Sequence, residues 1–416
     1  MSAITEQKPL VPELRFSEFN SLYSSNSLKE LTSSVDYRGK APIKSDSGVF
    51  LVTAKNIKKG KIDYDCSKEY VPRDLYDEVM RKGKPKIGDV LFTTEAPLGN
   101  VAQVNNANIA LAQRVIKFRG KELLSNAFLK NYFLSTEFTK RVHRISIGST
   151  VQGVSGKDLH KVTINFPELN EQQKIADFLE SVDAWLDHLR GQKTALQSYK
   201  QGMMQKLFTG QVRFKDENGR NFPEWQEVSM SDIGDSFGGL SGKSGDDFGQ
   251  GESFITYKQI FDDSVIEPKK FAKVTVAPGE KQNRAQKGDV FFTVSSETPN
   301  EVGYASVLME DVNPYLNSFA FGFRPKSLTD LLPEYSRYHF RSAPFRRQVV
   351  RLAQGSTRYN ISKVQFMKLI IEIPSASEQQ KIADFLTALD QTITAKADEI
   401  TKVEEWKKGL MQKMFV

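Results

Sequence analysis

Glu171–Leu179 reads EQQKIADFL, and Glu378–Leu386 reads EQQKIADFL again, identical at all nine positions and offset by 207 residues. The match resumes at the same offset: Gly202-Met203-Met204-Gln205-Lys206-Leu207-Phe208 answers Gly409-Leu410-Met411-Gln412-Lys413-Met414-Phe415, with no insertion between the blocks. Two long segments of equal length are therefore held in register. A repeat of this size points to two structural halves.

Each segment predicts one long helix. Asn170 with Gln173, and Ser377 with Gln380, read as cap signatures in which side chains satisfy orphan backbone donors. The apolar residues Ile175, Leu179, Val182, Leu186, Leu189, Leu196, Met203 and Leu207 then follow an alternating four-three spacing interrupted by Lys193 and Lys200. In the second copy Ile382, Leu386, Leu389, Ile393, Ile400, Val403, Leu410 and Met414 do the same around Lys396 and Lys407. That is a heptad seam. Roughly 38 helical residues would span about 57 Å, and such a stripe needs a partner to be buried. Equal lengths and matched seams favour packing of the two helices on each other over packing of each on its own domain, with Ile175, Leu179, Val182, Leu186, Leu189, Ile382, Leu386, Leu389, Ile393 and Ile400 as the packing residues.

The chain has 416 residues, one cysteine (Cys66) and four scattered histidines, so an internal disulfide is excluded and a structural zinc site is not indicated. Its N-terminal stretch, with Glu6 and Pro9, is not a signal sequence, and no run of about 18 apolar residues occurs. A cytoplasmic protein in a reducing compartment is expected. The net charge of +7 is unevenly placed: residues 1–169 hold 26 Lys+Arg against 18 Asp+Glu, whereas residues 210–376 hold 21 of each. The basic excess of the first segment suggests an anionic partner. The second is polarised instead, with Arg341, Arg346, Arg347, Arg351 and Arg358 and no acid between 341 and 358.

The domain plan follows as 1–169, a first globular segment; 170–209, a long helix; 210–376, a second globular segment; and 377–416, a second long helix. In the first, strands are predicted at Val49–Ala54, Gly88–Thr94, Leu111–Phe118 and Val162–Phe166, with a helix from Ser125 to about Arg144. The second repeats the plan: Gly288–Thr293 answers Gly88–Thr93, Tyr335–Leu352 answers the helix, and Gly355-Ser356-Thr357 answers Gly148-Ser149-Thr150. The skeleton repeats while the surfaces differ.

Catalytic motifs are not met. Gly238-Gly239-Leu240-Ser241-Gly242-Lys243-Ser244 falls one residue short of a phosphate-binding loop, because Phe237 stands where the first glycine belongs. Asn313-Pro314-Tyr315 lacks the second proline of an amino-methyltransferase tetrapeptide, no histidine is set beside a Ser or Cys with an acid, and Asp246-Asp247 and Asp262-Asp263 read as solvated loop acids. The pattern is one of binding rather than catalysis.

The duplicated EQQKIADFL entering a helix that ends Gln-Lys-Leu-Phe or Gln-Lys-Met-Phe, the Gly-Asp-Val-Leu-Phe-Thr turn, the Gly-Ser-Thr loops and the entry Val212-Arg213-Phe214 to Phe222-Pro223-Glu224-Trp225 resemble the specificity subunits of type I restriction-modification systems. Leu14-Arg15-Phe16 and Phe19 echo that entry without the tryptophan. The resemblance covers the whole chain. It implies an α+β fold with two tandem target-recognition domains separated by two long antiparallel coiled-coil helices under an internal pseudo-two-fold repeat. It further implies a non-catalytic subunit whose domains grip the halves of a split double-stranded DNA sequence, with the helices as the ruler between them. Two modification subunits carrying S-adenosylmethionine, and two restriction subunits using ATP and Mg²⁺, are the implied partners. A specificity chain serving a fused methyltransferase-nuclease, and a plain DNA-binding scaffold, are the alternatives.

Cations near phosphates give salt-sensitive affinity, whereas Arg, Lys, Asn or Gln at base edges give sequence choice. The candidates are Lys55, Asn56, Lys58, Lys59, Lys61, Arg114, Ser149 and Thr150 in the first domain. In the second they are Lys243, Lys258, Gln259, Arg284, Arg346, Arg351, Ser356, Thr357 and Arg358. No catalytic or metal-ligating residue is assigned.

Overall fold

A computed structural model describes residues 11–416 apart from Lys40, Ser149 and Val151. The described residues divide into two compact units, one reaching to residue 190 and joined by 398–416, the other of residues 191–397. The division falls in the middle of both long helices, Leu169–Phe208 and Ala376–Met414. Each unit thus contains a globular domain, the first half of one helix and the last half of the other.

In the first unit an antiparallel sheet runs Thr32–Asp36, Val115–Gly120, Val90–Thr93, Val101–Gln103, beside a three-stranded sheet of Tyr70–Val71, Val49–Val52 and Ile109–Leu111. The strand expected across Leu111–Phe118 is therefore two strands in two sheets, broken at Ala112–Arg114. The helix expected from Ser125 is likewise two, Asn126–Leu134 and Thr136–Ile145, because Ser135 stops the first and its hydroxyl accepts from the Phe138 amide to start the second. The second unit has the same order in its four-stranded sheet, Gly234–Gly238, Ala320–Pro325, Val290–Thr293, Ala305–Val307, and the same helix break, here at Ser342.

The turn into the central strand is built twice on one device. Gly88 and Gly288 sit at φ +88° and +89°, a backbone region that disfavours a side chain. The aspartate that follows is buried and grips an arginine on the neighbouring strand: Asp89 with Arg119 at 2.6 and 2.8 Å, Asp289 with Arg324 at 2.8 and 2.7 Å. Burial opposes charge on both carboxyls. It prevails at Asp289, which is raised above its ordinary range; at Asp89 the Arg119 and backbone hydrogen bonds, with Lys117 3.6 Å away, hold it below.

The helix starts depart from the expected caps. Gln172 N donates to Glu168 O and Gln379 N to Ser375 O, so the helices begin before Asn170 and Ser377, which lie inside the first turn. Gln173 and Gln380 reach forward instead, to Asp177 and Asp384. The other two repeat residues turn inward and are fully buried. Glu171 accepts two bonds from Arg15, at 2.8 and 2.6 Å, and one from the Tyr23 hydroxyl; Glu378 accepts two from Arg213, at 3.1 and 2.9 Å, and one from Trp225 Nε1. Tyr23 thus fills the place of the tryptophan absent from the first entry. Gln172 bonds Leu123 O, Pro167 O and the Ser125 amide, and Gln379 bonds Asp330 O, Pro374 O and the Leu332 amide.

The seam is divided by task. Ile175 and Leu179 enter the first domain's core with Met411, Met414 and Phe415 from the end of the other helix. Ile382 and Leu386, flanked by Leu389, enter the second domain's core with Leu207 and Phe208. Helix packs on helix in the first unit through Val182, Leu186 and Leu189 against Ile400 and Val403; Ile393 is half-buried outside these clusters. Two of the lysines that interrupt the heptads are interhelical ion pairs related by the repeat, Lys407 with Asp183 in the first unit and Lys200 with Asp390 at 2.5 Å in the second. These pairings run the helices antiparallel within each unit.

Removing one partner of a buried pair strands the other's charge, so Glu171→Ala should cost about 3 to 5 kcal/mol in urea denaturation, and Arg15→Met on that background should recover part of it. A second expectation concerns His339, buried among Phe208, Tyr335, Phe340 and Phe345. Burial depresses its pKa to about 3. The neutral ring's contribution is complete above the unfolded value near 6.5 and is lost as pH falls below it. The second unit should weaken by about 1.4 kcal/mol per pH unit between 6.5 and 5. Denaturation of His339→Phe across the same range should show that slope removed.

Candidate nucleic-acid interface

The turn Lys55–Lys61 illustrates how burial sorts a basic run. Ile57 is buried and anchors the turn, and Asn56 is buried beside it. Its carbonyl oxygen accepts from Thr53 N and Oγ1 at 3.0 and 2.8 Å while its amide donates to Asp63 O and Ser67 O at 2.9 and 2.8 Å. Every polar atom of that side chain is committed. Asn56 is accordingly corrected from a DNA contact to the organiser of the turn.

The lysines around it point to different places. Lys55 is exposed and shares a cleft of about 250 Å³ with Lys44, Gln113 and Arg114. Lys59 and Lys61 line another, of about 620 Å³, opposite Glu180, Asp183 and Asp187 of the long helix. Lys58 is half-buried and donates to Cys66 Sγ at 3.2 Å. The structure therefore joins Lys55 with Arg114, which is distant in sequence, and parts it from Lys59 and Lys61. Arg114 is itself steadied by Glu95, 3.0 Å from its Nε. Thr150 is exposed, and Ser149 lies outside the described residues.

Three candidates in the second domain are corrections of the same kind. Arg346 is pulled inward, donating to Gly303 O and Asn300 O at 2.6 and 2.9 Å with its guanidinium 4.6 Å from the Tyr304 ring centre. Burial lowers its pKa, as it does for Arg341, which bonds four carbonyls including Ala305 O and Ile260 O. The basic cluster read from the sequence is thus partly a set of internal braces. Gln259 is buried and donates to Glu267 O, and the Lys243 ammonium is covered and paired with Glu280 at 2.6 Å. All three are engaged within their own domain.

What remains at the surface is narrower. Lys258 is exposed and paired with Asp262; Arg284 lies 4.2 Å over the Tyr315 ring and donates to Asn313 O; Arg351, Ser356, Thr357 and Arg358 are exposed. Arg358 lines a cleft of about 410 Å³ with Tyr257, Phe261, Glu297, Glu301 and Phe319. Tyr257 and Phe319 were missed by a search for cations. The signal for Tyr257 was present in the match of Val52-Thr53-Ala54-Lys55-Asn56-Ile57 to Ile255-Thr256-Tyr257-Lys258-Gln259-Ile260.

A family described as the type I restriction modification DNA specificity domain matches residues 45–198 and 223–405 of the chain, one match to each repeat. The chain belongs to that family. It is a type I restriction specificity subunit, similar to the MjaVIII specificity subunit of Methanocaldococcus jannaschii, at 24% identity over 76% of this chain and 73% of that one. It also resembles the EcoKI specificity subunit of Escherichia coli K12, at 21% identity over 88% and 81%. The HsdS subunit from Thermoanaerobacter tengcongensis shares the fold at a TM-score of 0.53 and 19% identity, covering 94% of this chain and 96% of that one. A structure from work on assembly and conformational transition of the type I R-M system reaches a TM-score of 0.62 at 19% identity, covering 94% and 97%. The target-recognition domains and long helices of the specificity subunit are thus those described above, and no helix among the described residues is long and apolar enough to cross a membrane.

The two fates of the turn residues separate experimentally. Lys55→Ala should reduce the slope of log K against log[salt] for duplex DNA by about 1 and leave unfolding unchanged. Asn56→Ala should do the reverse, costing about 1 to 3 kcal/mol of stability, since its buried partners lose their bonds, with the salt slope retained.

Proposed function

We propose that this specificity subunit holds a split, asymmetric double-stranded DNA sequence, one half on each target-recognition domain, and is itself without catalytic activity. The observation that carries the reading is a duplicated framework with divergent surfaces. Both units repeat the buried aspartate-arginine grip, the Glu-Gln clamp and the sheet order, while the side chains around their clefts differ. A framework repeated with different contents suits two related modules that bind different partners of one chemical kind.

In this reading the subunit also scaffolds its enzyme. Two modification subunits bring S-adenosylmethionine for adenine N6 methylation, and two restriction subunits add translocation and cleavage with ATP and Mg²⁺. All three ligands belong to those partners, and the complex works in the cytoplasm of a prokaryote. The surface cations supply affinity that is independent of sequence, and base-edge contacts add the choice.

Single-molecule methylation sequencing of host DNA with and without the gene tests the function directly, with loss of N6-methyladenine at one split motif as the expected result. Exchange of residues 20–165 for the corresponding domain of another such subunit should then change one half of that motif and leave the other intact. A change in both halves would refute one-domain-per-half recognition.

A further inference from the structure

The clefts beside Arg114 and Phe319 occupy the same backbone position in the two domains. Thr94 N donates to Arg114 O at 3.0 Å, and Val294 N donates to Phe319 O at 3.0 Å. Ala112 N donates to Val52 O, and Asn317 N to Ile255 O, each at 3.0 Å. The next contacts also correspond: Val154 N bonds Thr94 O, and Ile361 N bonds Val294 O. Arg114 and Phe319 are therefore one position of the repeat, although the residues flanking them share no motif.

Beneath this position the framework is closed. Thr93 and Thr293 are buried, and the hydroxyl of each accepts a backbone amide, from Asn100 at 2.9 Å and from Tyr304 at 3.0 Å. Above it the contents are opposite in character. Arg114 is half-exposed and held through Nε by Glu95, which leaves the Nη pair as the fork that matches guanine O6 and N7. Phe319 is 58% exposed, a large apolar ring in the company of Tyr257 and Arg358. An exposed phenylalanine gains nothing for the fold there, and its chemistry suits the methyl group that marks thymine in the major groove.

Building on the DNA-recognition reading above, we propose that these paired clefts are the base-reading points of the two domains: Arg114 reads a guanine in one half of the target, and Phe319 packs on a thymine methyl in the other. One framework position thus gives the two half-sites different sequences. Tyr257 braces the second cleft by donating to Ser295 O at 2.6 Å and stacking parallel to Phe261, with ring centres 6.2 Å apart. Glu95 positions Arg114 rather than contacting the base.

The test uses the full chain expressed in its host, with methylated motifs read by single-molecule sequencing. Arg114→Gln should relax one G position of one half-site, with discrimination there falling about tenfold to a hundredfold, and Phe319→Ala should relax one T position of the other half. Arg114→Lys keeps the charge but loses the fork, so it should relax the same G position. A wild-type motif that survives all three substitutions would overturn the assignment. So would a uniform drop in methylation over every position, which is the behaviour of a phosphate contact. If the wild-type chain directs no methylation at all, the failure lies with the function proposed above and is recognised before any variant is compared.

Discussion

A carboxylate buried at the start of each long helix is the interaction on which the remaining structure depends. Glu171 and Glu378 are shielded from solvent, and each is matched by an arginine fork and one aromatic donor from the strand entry that precedes its domain. An ion buried this way is tolerable only when its lone pairs are filled. The geometry therefore holds two chain segments together, the entry arm and the helix. The glutamine that follows extends the same logic to the backbone, satisfying one amide and two carbonyls that would otherwise be orphaned at the junction. Identity at all nine positions of the repeat is understandable as two copies of one joint.

From this joint the helix begins inside a hydrophobic core, and its far end finishes inside the other one. Leu207-Phe208 and Met414-Phe415 are the apolar plugs that close the second and first cores. The reason for the second repeated block, Gln-Lys-Leu-Phe and Gln-Lys-Met-Phe, is therefore packing at the helix end. Between joint and plug the heptad residues pack helix on helix, and two of the lysines that break the pattern, Lys200 and Lys407, pair with aspartates at repeat-related positions. Arg114 and Phe319 can differ because the bonds that place them run through their backbone carbonyls, which are indifferent to the side chain.

The sequence made much of the fold legible. Periodicity exposed both long helices, the 207-residue offset exposed the two halves, and the Gly-Asp turns marked the central strands. The candidate site was read less well, and the errors have one cause. Asn56, Gln259, Lys243 and Arg346 carry the chemistry of DNA contacts, and all four are engaged by carbonyls, amides or acids of their own domain. Composition reports which groups could bind an anion; it does not report which already have partners. The same gap let Leu111–Phe118 pass as one strand, since its apolar run does not reveal that Ala112–Arg114 leaves one sheet for another.

Sequence alone determined that this protein is a duplicated chain with two helices of matched length and two domains of common plan, because apolar periodicity and repeat offset are properties of local order along the chain. Tertiary structure alone decided which polar side chains reach solvent, which helix residues serve the cores and which serve the seam, and that Arg114 stands where Phe319 stands. Those outcomes rest on partners dozens to hundreds of residues away, and burial, unlike periodicity, is settled only when those partners have been brought together.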